Sequence, residues 1–509
     1  MSASTSPQSE PDTLAALVHC ASATAPALHV PGGQRLTFGG LAEATGDMAG
    51  ILSSAGVARG DRVALVIPDG PLLLQTVLAV TMVGAAAAPL NPAYTHDEFV
   101  FYLEDLAPRL VLLAAGEATA ARAAAQIGVD VGTLVDREGR PAGVELPRGL
   151  VDAPSDFEPA DPADIALLLH TSGTTSRPKQ VPLLHRNLMA STRAIAAHYR
   201  LDREDASFAA MPLFHVHGLV ASAFAALAAG GRVIVPHRFS PQRMLEQLEP
   251  EGVTWLSAGP TLHQMILERI ERSGRDVTQR LRFLRSCSSA LSPELMARVE
   301  ARFEAPLLEA YGMTEASHQI AANPLPPPPP RASSVGVPTG TEIRIADRDG
   351  TELPIGSAGE VLVRGPGVTP GYLGNPDANR EAFVEGWFRT GDLGLRDADG
   401  YLHLIGRLKE MILRGGENIA PAEVEDVLRA HSAVVDAAAF GVPDEKYGEL
   451  VAVAVSLTDD ADSEELTAYC RARLAPFKVP SVIHILDEIP RTPTGKLQRR
   501  RIAAQFVEP

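Results

Sequence analysis

The chain has 509 residues, more than one hydrophobic core normally serves, so two or more domains are expected. Apolar residues make up 45% and charged residues 21%, as in ordinary globular proteins, while 62 acidic against 45 basic residues leave a net charge of −17. That balance disfavours a nucleic-acid partner, and three widely spaced cysteines, Cys20, Cys287 and Cys470, exclude a disulfide scaffold or a cysteine zinc site.

The N-terminal stretch MSASTSPQSEPDTLAALV has no basic region ahead of an apolar core and does not read as a secretory signal. Arg62–Pro68 (RVALVIP) is a strand candidate. Leu72–Leu90 is the longest apolar run; being Ala-rich, holding Gln75 and closing on Pro89, it reads as a buried helix and not a membrane span. A cytoplasmic protein is expected. Leu110–Ala115 followed by EATAARAAAQI, and Arg232–Pro236 followed by PQRMLEQLEP, repeat the strand-then-helix order. Apolar strands alternating with helices imply an α/β fold of parallel sheets covered on both faces. No fixed-period repeat is present. The run NPLPPPPPRASS from Asn323 is expected to be an extended surface connection, since proline cannot join a ladder.

Beyond Gly406 the pattern changes scale. A helix is expected over Pro421–His431, with proline in its first turn, strands over VVDAAAF and LVAVAVSL, and a second helix over SEELTAYCRARL. These suffice for a small α+β domain. The boundary is placed at Leu408–Glu410, giving domains 1–408 and 409–509.

The segment HTSGTTSRPKQVPL, His170–Leu183, gathers hydroxyls, one glycine and one lysine after an apolar run. Glycine permits close backbone approach, hydroxyls and N–H groups cradle phosphate oxygens, and lysine neutralises charge. A Walker A loop would place GK[ST] four residues after its first glycine; Gly173 is followed by TTSRPKQ, so this is a phosphate loop of another kind.

Four further motifs follow in order: EAYGMTEASH (Glu309–His318), GWFRTGDLG (Gly386–Gly394), GRLKE (Gly406–Glu410) and PRTPTGKLQRR (Pro490–Arg500). With the loop, they make the chain resemble the adenylate-forming superfamily of acyl-CoA synthetases, coumarate–CoA ligases and luciferase. The resemblance implies a large N-terminal domain of stacked sheets with flanking helices, plus a small mobile C-terminal α+β domain. It also implies an ATP-dependent, AMP-forming acid–thiol ligase that uses ATP, Mg²⁺ and coenzyme A, with a small carboxylic acid as substrate and no obligate protein partner.

On that resemblance Thr171, Ser172, Gly173, Thr174, Thr175 and Lys179 cover the ATP phosphates. Thr314 meets the α-phosphate and Glu315 holds the metal. Ser288, Ser289 and Ala290, with Glu309, Ala310 and Tyr311, border adenine; Asp392 takes the ribose hydroxyls, assisted by Arg407. Lys496 bridges the acid and the α-phosphate during adenylation. Lys409 is the hinge about which the small domain turns, and Gly415, Gly416 and Glu417 line the path of coenzyme A. Two positions depart from the family loop, which commonly has glycine where this chain has Ser176 and Gln180. Glutamine at 180 would be strained if the backbone there needed φ > 0.

The acid is expected against MPLFHVHGL (Met211–Leu219), SCSSA (Ser286–Ala290) and MTEASH, where His215, His217, Ser289 and His318 offer polar groups instead of a fatty-acyl lining. The combination of HTSGTTSRPK, PLFHVHGL, RSCSSA and EAYGMTEASH…NPLP, continued through FGVPDEKYGE, resembles oxalate–CoA ligases, so oxalyl-CoA formation is the expected reaction. A medium-chain or broad-specificity acyl-CoA synthetase and a carrier-loading adenylation enzyme are the alternatives; no carrier-like domain is expected beyond Lys496.

Overall fold

The computed structural model describes residues 12–171, 178–274, 277–327, 330–458, 461–492 and 497–506. It is an α/β structure with three sheets in the larger N-terminal part and a fourth in the smaller C-terminal part. In the first sheet, Arg62–Val66 lies between Ala86–Pro89 and Leu110–Leu113, all parallel. Residues 63–66 are buried, because helices cover both faces and no polar side is needed. In the second sheet, Ala206–Ala209, Trp255–Ala258, Phe283–Ser286 and Leu307–Met313 run parallel in that spatial order. The antiparallel third sheet holds Trp387–Arg396 against Leu402–Arg407. One apolar core joins all three: Val63 and Leu65 from the first, Phe283 from the second, Val361 and Phe388 from the third.

The C-terminal sheet pairs Val434–Asp444 with Gly448–Leu457 and has its own core, including Ile412, Val424, Val451 and Leu466. Its helices are Pro421–Arg429, with proline at the start, and Ser463–Arg471, whose N-terminal cap is the Asp462 carboxylate accepting from the Glu465 N–H. The expected boundary falls on a 3₁₀ turn, Leu408–Glu410, between the third and fourth sheets.

Two expectations need correction. Leu72–Leu90 is not one helix: the helix is Pro71–Met82, Gly84 at φ 71° turns the chain, and Ala86–Pro89 is a buried strand paired with Arg62–Leu65. Small alanines fit between a packed helix layer and the neighbouring strand, which an apolar count along the chain does not reveal. Among the described residues, no helix is long and apolar enough to cross a membrane. Gln180 is also unstrained. It lies inside strand Lys179–Leu184 opposite His170, outside the positive-φ residues, and its amide donates to the Asp105 carbonyl and carboxylate (2.5 and 2.7 Å).

Candidate active site

The chemistry-bearing segments leave the carboxyl ends of neighbouring parallel strands, where open α/β sheets form their crevices. Strand Ala206–Ala209 leads into the His215 segment, Phe283–Ser286 into Ser288–Ala290, and Leu307–Met313 into Thr314 and Glu315. A tight hairpin then sets Met313 opposite His318. Gly312 makes this possible, because a Cβ there would stand 1.7 Å from the His318 carbonyl oxygen.

At one end Tyr311 donates its phenolic hydrogen to Asp392 Oδ2 (2.5 Å), while Arg407 Nε lies 2.9 Å from Asp392 Oδ1. Asp392 and Arg407 are cross-strand neighbours, so the ladder itself presents them side by side. Asp392 is 5% exposed, and its charge is the largest influence holding the Arg407 pKa above its ordinary value. Burial first, then the Asp392 carboxylate, pushes the Tyr311 phenol well up. Glu309, Ala310 and Tyr311 share a strand, and Glu309 accepts from the Leu291 N–H (3.3 Å).

Burial raises the Glu309 pKa from its ordinary 4.5 to about 7, with the nearby Asp426 charge adding to it. A carboxyl that holds its proton more tightly in the folded state stabilises fully below its unfolded pKa. That contribution is lost as pH rises through about 7. Glu309→Gln, uncharged throughout, is therefore expected to gain about 3 kcal/mol on wild type between pH 4.5 and 8. Urea unfolding of both proteins across that range checks it; a stability difference independent of pH would refute the shift.

At the other end Thr171 and Lys179 are directly paired, so the two strands bring the loop's ends together. Ser172, Gly173, Thr174 and Thr175 lie outside the described residues. Lys179 Nζ stands 4.5 Å over the Tyr372 ring, and the Tyr372 hydroxyl donates to Glu315 Oε1 (2.9 Å). Three bonds fasten this arrangement: Thr369 N–H to the Glu315 carbonyl (2.7 Å), Leu373 N–H to the Gln180 carbonyl (3.0 Å), and Thr369 Oγ1 to the Pro182 carbonyl (2.7 Å). Sequence reasoning missed Tyr372; an aromatic set in the glycine- and proline-rich TPGYLGNP was the available signal.

Glu315 is 6% exposed and takes part in no ion pair among the described residues. A buried carboxylate with only a hydroxyl partner suits Mg²⁺, which takes one or two carboxylates beside phosphate oxygens. Thr314 opens the same 3₁₀ turn, Thr314–Ala316.

Immediately before the SCSSA segment expected against the acid stands Arg285, to which sequence reasoning gave no role. Its side chain is fully buried. It donates to Ser257 Oγ (2.8 Å), His318 Nε2 (2.9 Å), Gln319 Oε1 (2.9 Å), Tyr199 Oη (3.2 Å) and His217 Nε2 (3.3 Å). His217, expected against the acid, already has partners within the protein. Its Nδ1 is 2.8 Å from Ser288 Oγ and its Nε2 is 2.7 Å from Ser257 Oγ, so both ring nitrogens are engaged within the protein. Burial, then the charges of His318 and Arg285, hold the His217 pKa well below the ordinary histidine value.

The His217 and His318 rings stack at 5.0 Å. Ser288, Ser317 and His318 all hold φ between +51° and +101°, the local strain that functional sites tend to carry. Ser289 and Ala290 continue from Ser288 on the accessible side. His215 is half-buried, and its segment is anchored where the Leu213 N–H donates to Asp69 Oδ1 (2.7 Å). Burial lifts the Asp69 carboxyl to about 6.

On the C-terminal part, Gly415 and Gly416 form the two-residue turn between Ile412–Arg414 and Glu417–Ile419, both at positive φ. That hairpin geometry accounts for both glycines by itself. Lys409 is exposed within the turn at 408–410. Lys496 lies outside the described residues.

Comparison with known proteins adds to this geometry. The family described as AMP-binding enzyme matches residues 17–373, and the AMP-binding enzyme C-terminal domain matches 423–496. An oxalate–CoA ligase of Arabidopsis thaliana is 45% identical over 471 residues, 90% of this chain and 91% of that protein. A sulfoacetate–CoA ligase of Cupriavidus necator is 39% identical, over 96% of this chain and 97% of that protein. The crystal structure of ATP-bound MatB from Rhodopseudomonas palustris superposes with a TM-score of 0.88 at 30% identity, covering 97% of this chain and 99% of that one.

Proposed function

The chain belongs to the AMP-binding enzymes and is an AMP-forming acid–CoA ligase using ATP, Mg²⁺ and coenzyme A, and from this premise we propose that its acid is oxalate. A carboxylate resists attack because the nucleophile must add charge to an anion. Joining it to the α-phosphate of ATP, with pyrophosphate leaving, supplies a good leaving group. The thiol of coenzyme A then attacks the acyl carbon, releasing AMP and forming the thioester. The first step brings two anions together, so cations and fixed donors must stand where charge accumulates.

In this reading Lys179, Thr171 and the intervening loop hold the phosphates. Thr314 positions the α-phosphate, and Glu315 with Tyr372 behind it holds Mg²⁺. Asp392, braced by Tyr311 and Arg407, takes the ribose, and Glu309 and Ala310 border adenine with Ser288 to Ala290. Lys496 joins the acid to the α-phosphate. Rotation about Lys409 then exchanges Lys496 for the face carrying Gly415, Gly416 and Glu417. The enzyme is proposed to work in the cytoplasm on a free small acid, without an obligate protein partner.

The observation that carries oxalate is the polar wall at the acid end, where Arg285, His318, Ser257 and Gln319 stand buried together. Oxalate keeps a second carboxylate after the first reacts, and burying that charge without donors is very costly. Ser289, His215 and His318 are the donors proposed to meet it. A fatty chain would leave the same donors unpaired.

Oxalate is accordingly expected to give a far higher kcat/KM than acetate, octanoate or coumarate in a thioester assay. His318→Ala is expected to lose about 2–4 kcal/mol of transition-state stabilisation with oxalate and little with octanoate. A wild-type preference for octanoate or coumarate would overturn oxalate and leave the ligase chemistry standing.

A further inference from the structure

We propose that Arg285 is the positioning residue that makes this site select acids with a second anionic group: it supplies a fixed buried positive charge and locks His217 and His318 as Nδ1–H donors. The inference rests on the reading of the substrate as an acid with two anionic groups, of which oxalate is one.

All five guanidinium hydrogens face neutral acceptors. Nε–H meets Tyr199 Oη (3.2 Å) and Gln319 Oε1 (3.3 Å); Nη1 meets Ser257 Oγ and His217 Nε2; Nη2 meets His318 Nε2 and Gln319 Oε1. None of the ion pairs among the described residues includes Arg285, and its side chain is fully buried. A cation removed from water without a counter-ion is expensive to keep. Two other strands, a helix end and the His217 turn supply its partners, and neutral side chains there would pack without that cost. An arriving anion close to the cluster recovers the cost, because the low dielectric that penalises the lone charge also strengthens its attraction for a partner.

The second contribution is a matter of hydrogens. A guanidinium only donates, so each Nε2 facing it must accept, and the single hydrogen of each ring sits on Nδ1. For His217 that hydrogen goes to Ser288 Oγ (2.8 Å). Ser288 then accepts from the ring and keeps its own hydroxyl hydrogen to give away. Ser257 completes the arrangement, accepting from Arg285 Nη1 (2.8 Å) and standing 2.7 Å from His217 Nε2. Charge thus polarises a chain running from Arg285 through His217 to Ser288, whose backbone is held at φ 80°. His318, 2.9 Å from Nη2, is fixed as a neutral Nδ1–H donor by the same rule. Of these groups His318 is the donor proposed to meet the acid, and Arg285, itself fully buried, acts on the acid only through it and through its charge.

The test uses the full-length chain, with Arg285→Gln and Arg285→Lys beside wild type. Each is assayed for thioester formation with oxalate, malonate and sulfoacetate, and with glycolate and propionate as singly charged acids of similar size. KM for ATP and the melting temperature are recorded in parallel. The ratio of kcat/KM for doubly charged over singly charged acids is expected to fall roughly 30- to 100-fold in Arg285→Gln, with KM for ATP little changed. Arg285→Lys, which keeps the charge and loses the fork of donors, should fall between. A merely structural arginine would depress both acid classes alike, so an unchanged ratio in a folded variant overturns the proposal. Should Arg285→Gln not fold, the ratio in Arg285→Lys decides in the same way. Wild-type use of malonate or sulfoacetate but not oxalate would sink oxalate alone. Oxalate use with an unaltered ratio in the variants would sink the role of Arg285 alone, and wild-type failure with every doubly charged acid would sink both.

Discussion

Lys496→Ala is expected to lower ATP-dependent adenylate formation by about 10²–10³-fold, the loss that follows when one preorganised group stabilising a developing charge is removed. The acid and the α-phosphate are both anionic, and a flexible ammonium that reaches both is worth most where they are joined. The second half-reaction needs no such bridge, because the thiol attacks an acyl group already activated. Supplied acyl-AMP and coenzyme A should therefore still give thioester at near the wild-type rate. Pyrophosphate release measures the first step and thioester formation from synthetic adenylate the second. Equal losses in both would remove Lys496 from adenylation and, with it, the proposed exchange of faces about Lys409.

Asp392→Ala should produce the other large effect, and through ATP. Removing this carboxylate strips the Tyr311 hydroxyl of its acceptor and the Arg407 guanidinium of its counter-charge at once. Breaking a buried pair by deleting one partner is costly because the other charge stays behind. Arg407 keeps a partly exposed side chain, and solvent relieves part of that cost. A loss of about 2–4 kcal/mol in kcat/KM for ATP is expected, mostly as a raised KM. Asp392→Asn, which still offers Tyr311 an oxygen, should lose less. If KM for ATP stays at the wild-type value in Asp392→Ala while the protein melts normally, the ribose assignment is wrong.

Much of the site was legible because its motifs are local. A loop that meets phosphates needs its glycine, hydroxyls and lysine within a few residues, so Thr171 and Lys179 could be named from the chain and are found paired. Glu309, Tyr311 and Glu315 lie within seven positions of one another on one strand and the turn after it. Asp392 and Arg407 are further apart, yet each belongs to a short motif, and one antiparallel ladder sets them side by side. The parallel sheets were legible for a related reason: RVALV is apolar at four successive positions because both faces are covered, and that pattern is written in the segment itself.

What the chain does not announce depends on partners distant in sequence. Arg285 looks like a surface cation beside a serine-rich turn until residues 199, 217, 257, 318 and 319 close round it. His217 and His318 look equivalent as polar groups near the acid, but the second sheet gives His217 a partner at each nitrogen. Gln180 suggests strain by comparison with a glycine, whereas Asp105, 75 positions away, gives its amide two acceptors within an ordinary strand. Tyr372 gains meaning only when a distant strap lays its ring under Lys179 and its hydroxyl on Glu315. By itself, then, the sequence determined the α/β class and the adenylate-forming family, since each is a pattern of neighbours. The tertiary structure alone decided which charges are buried, which nitrogens are already engaged and which side chain faces which, because burial and hydrogen-bond partnership are properties of segments brought together in space.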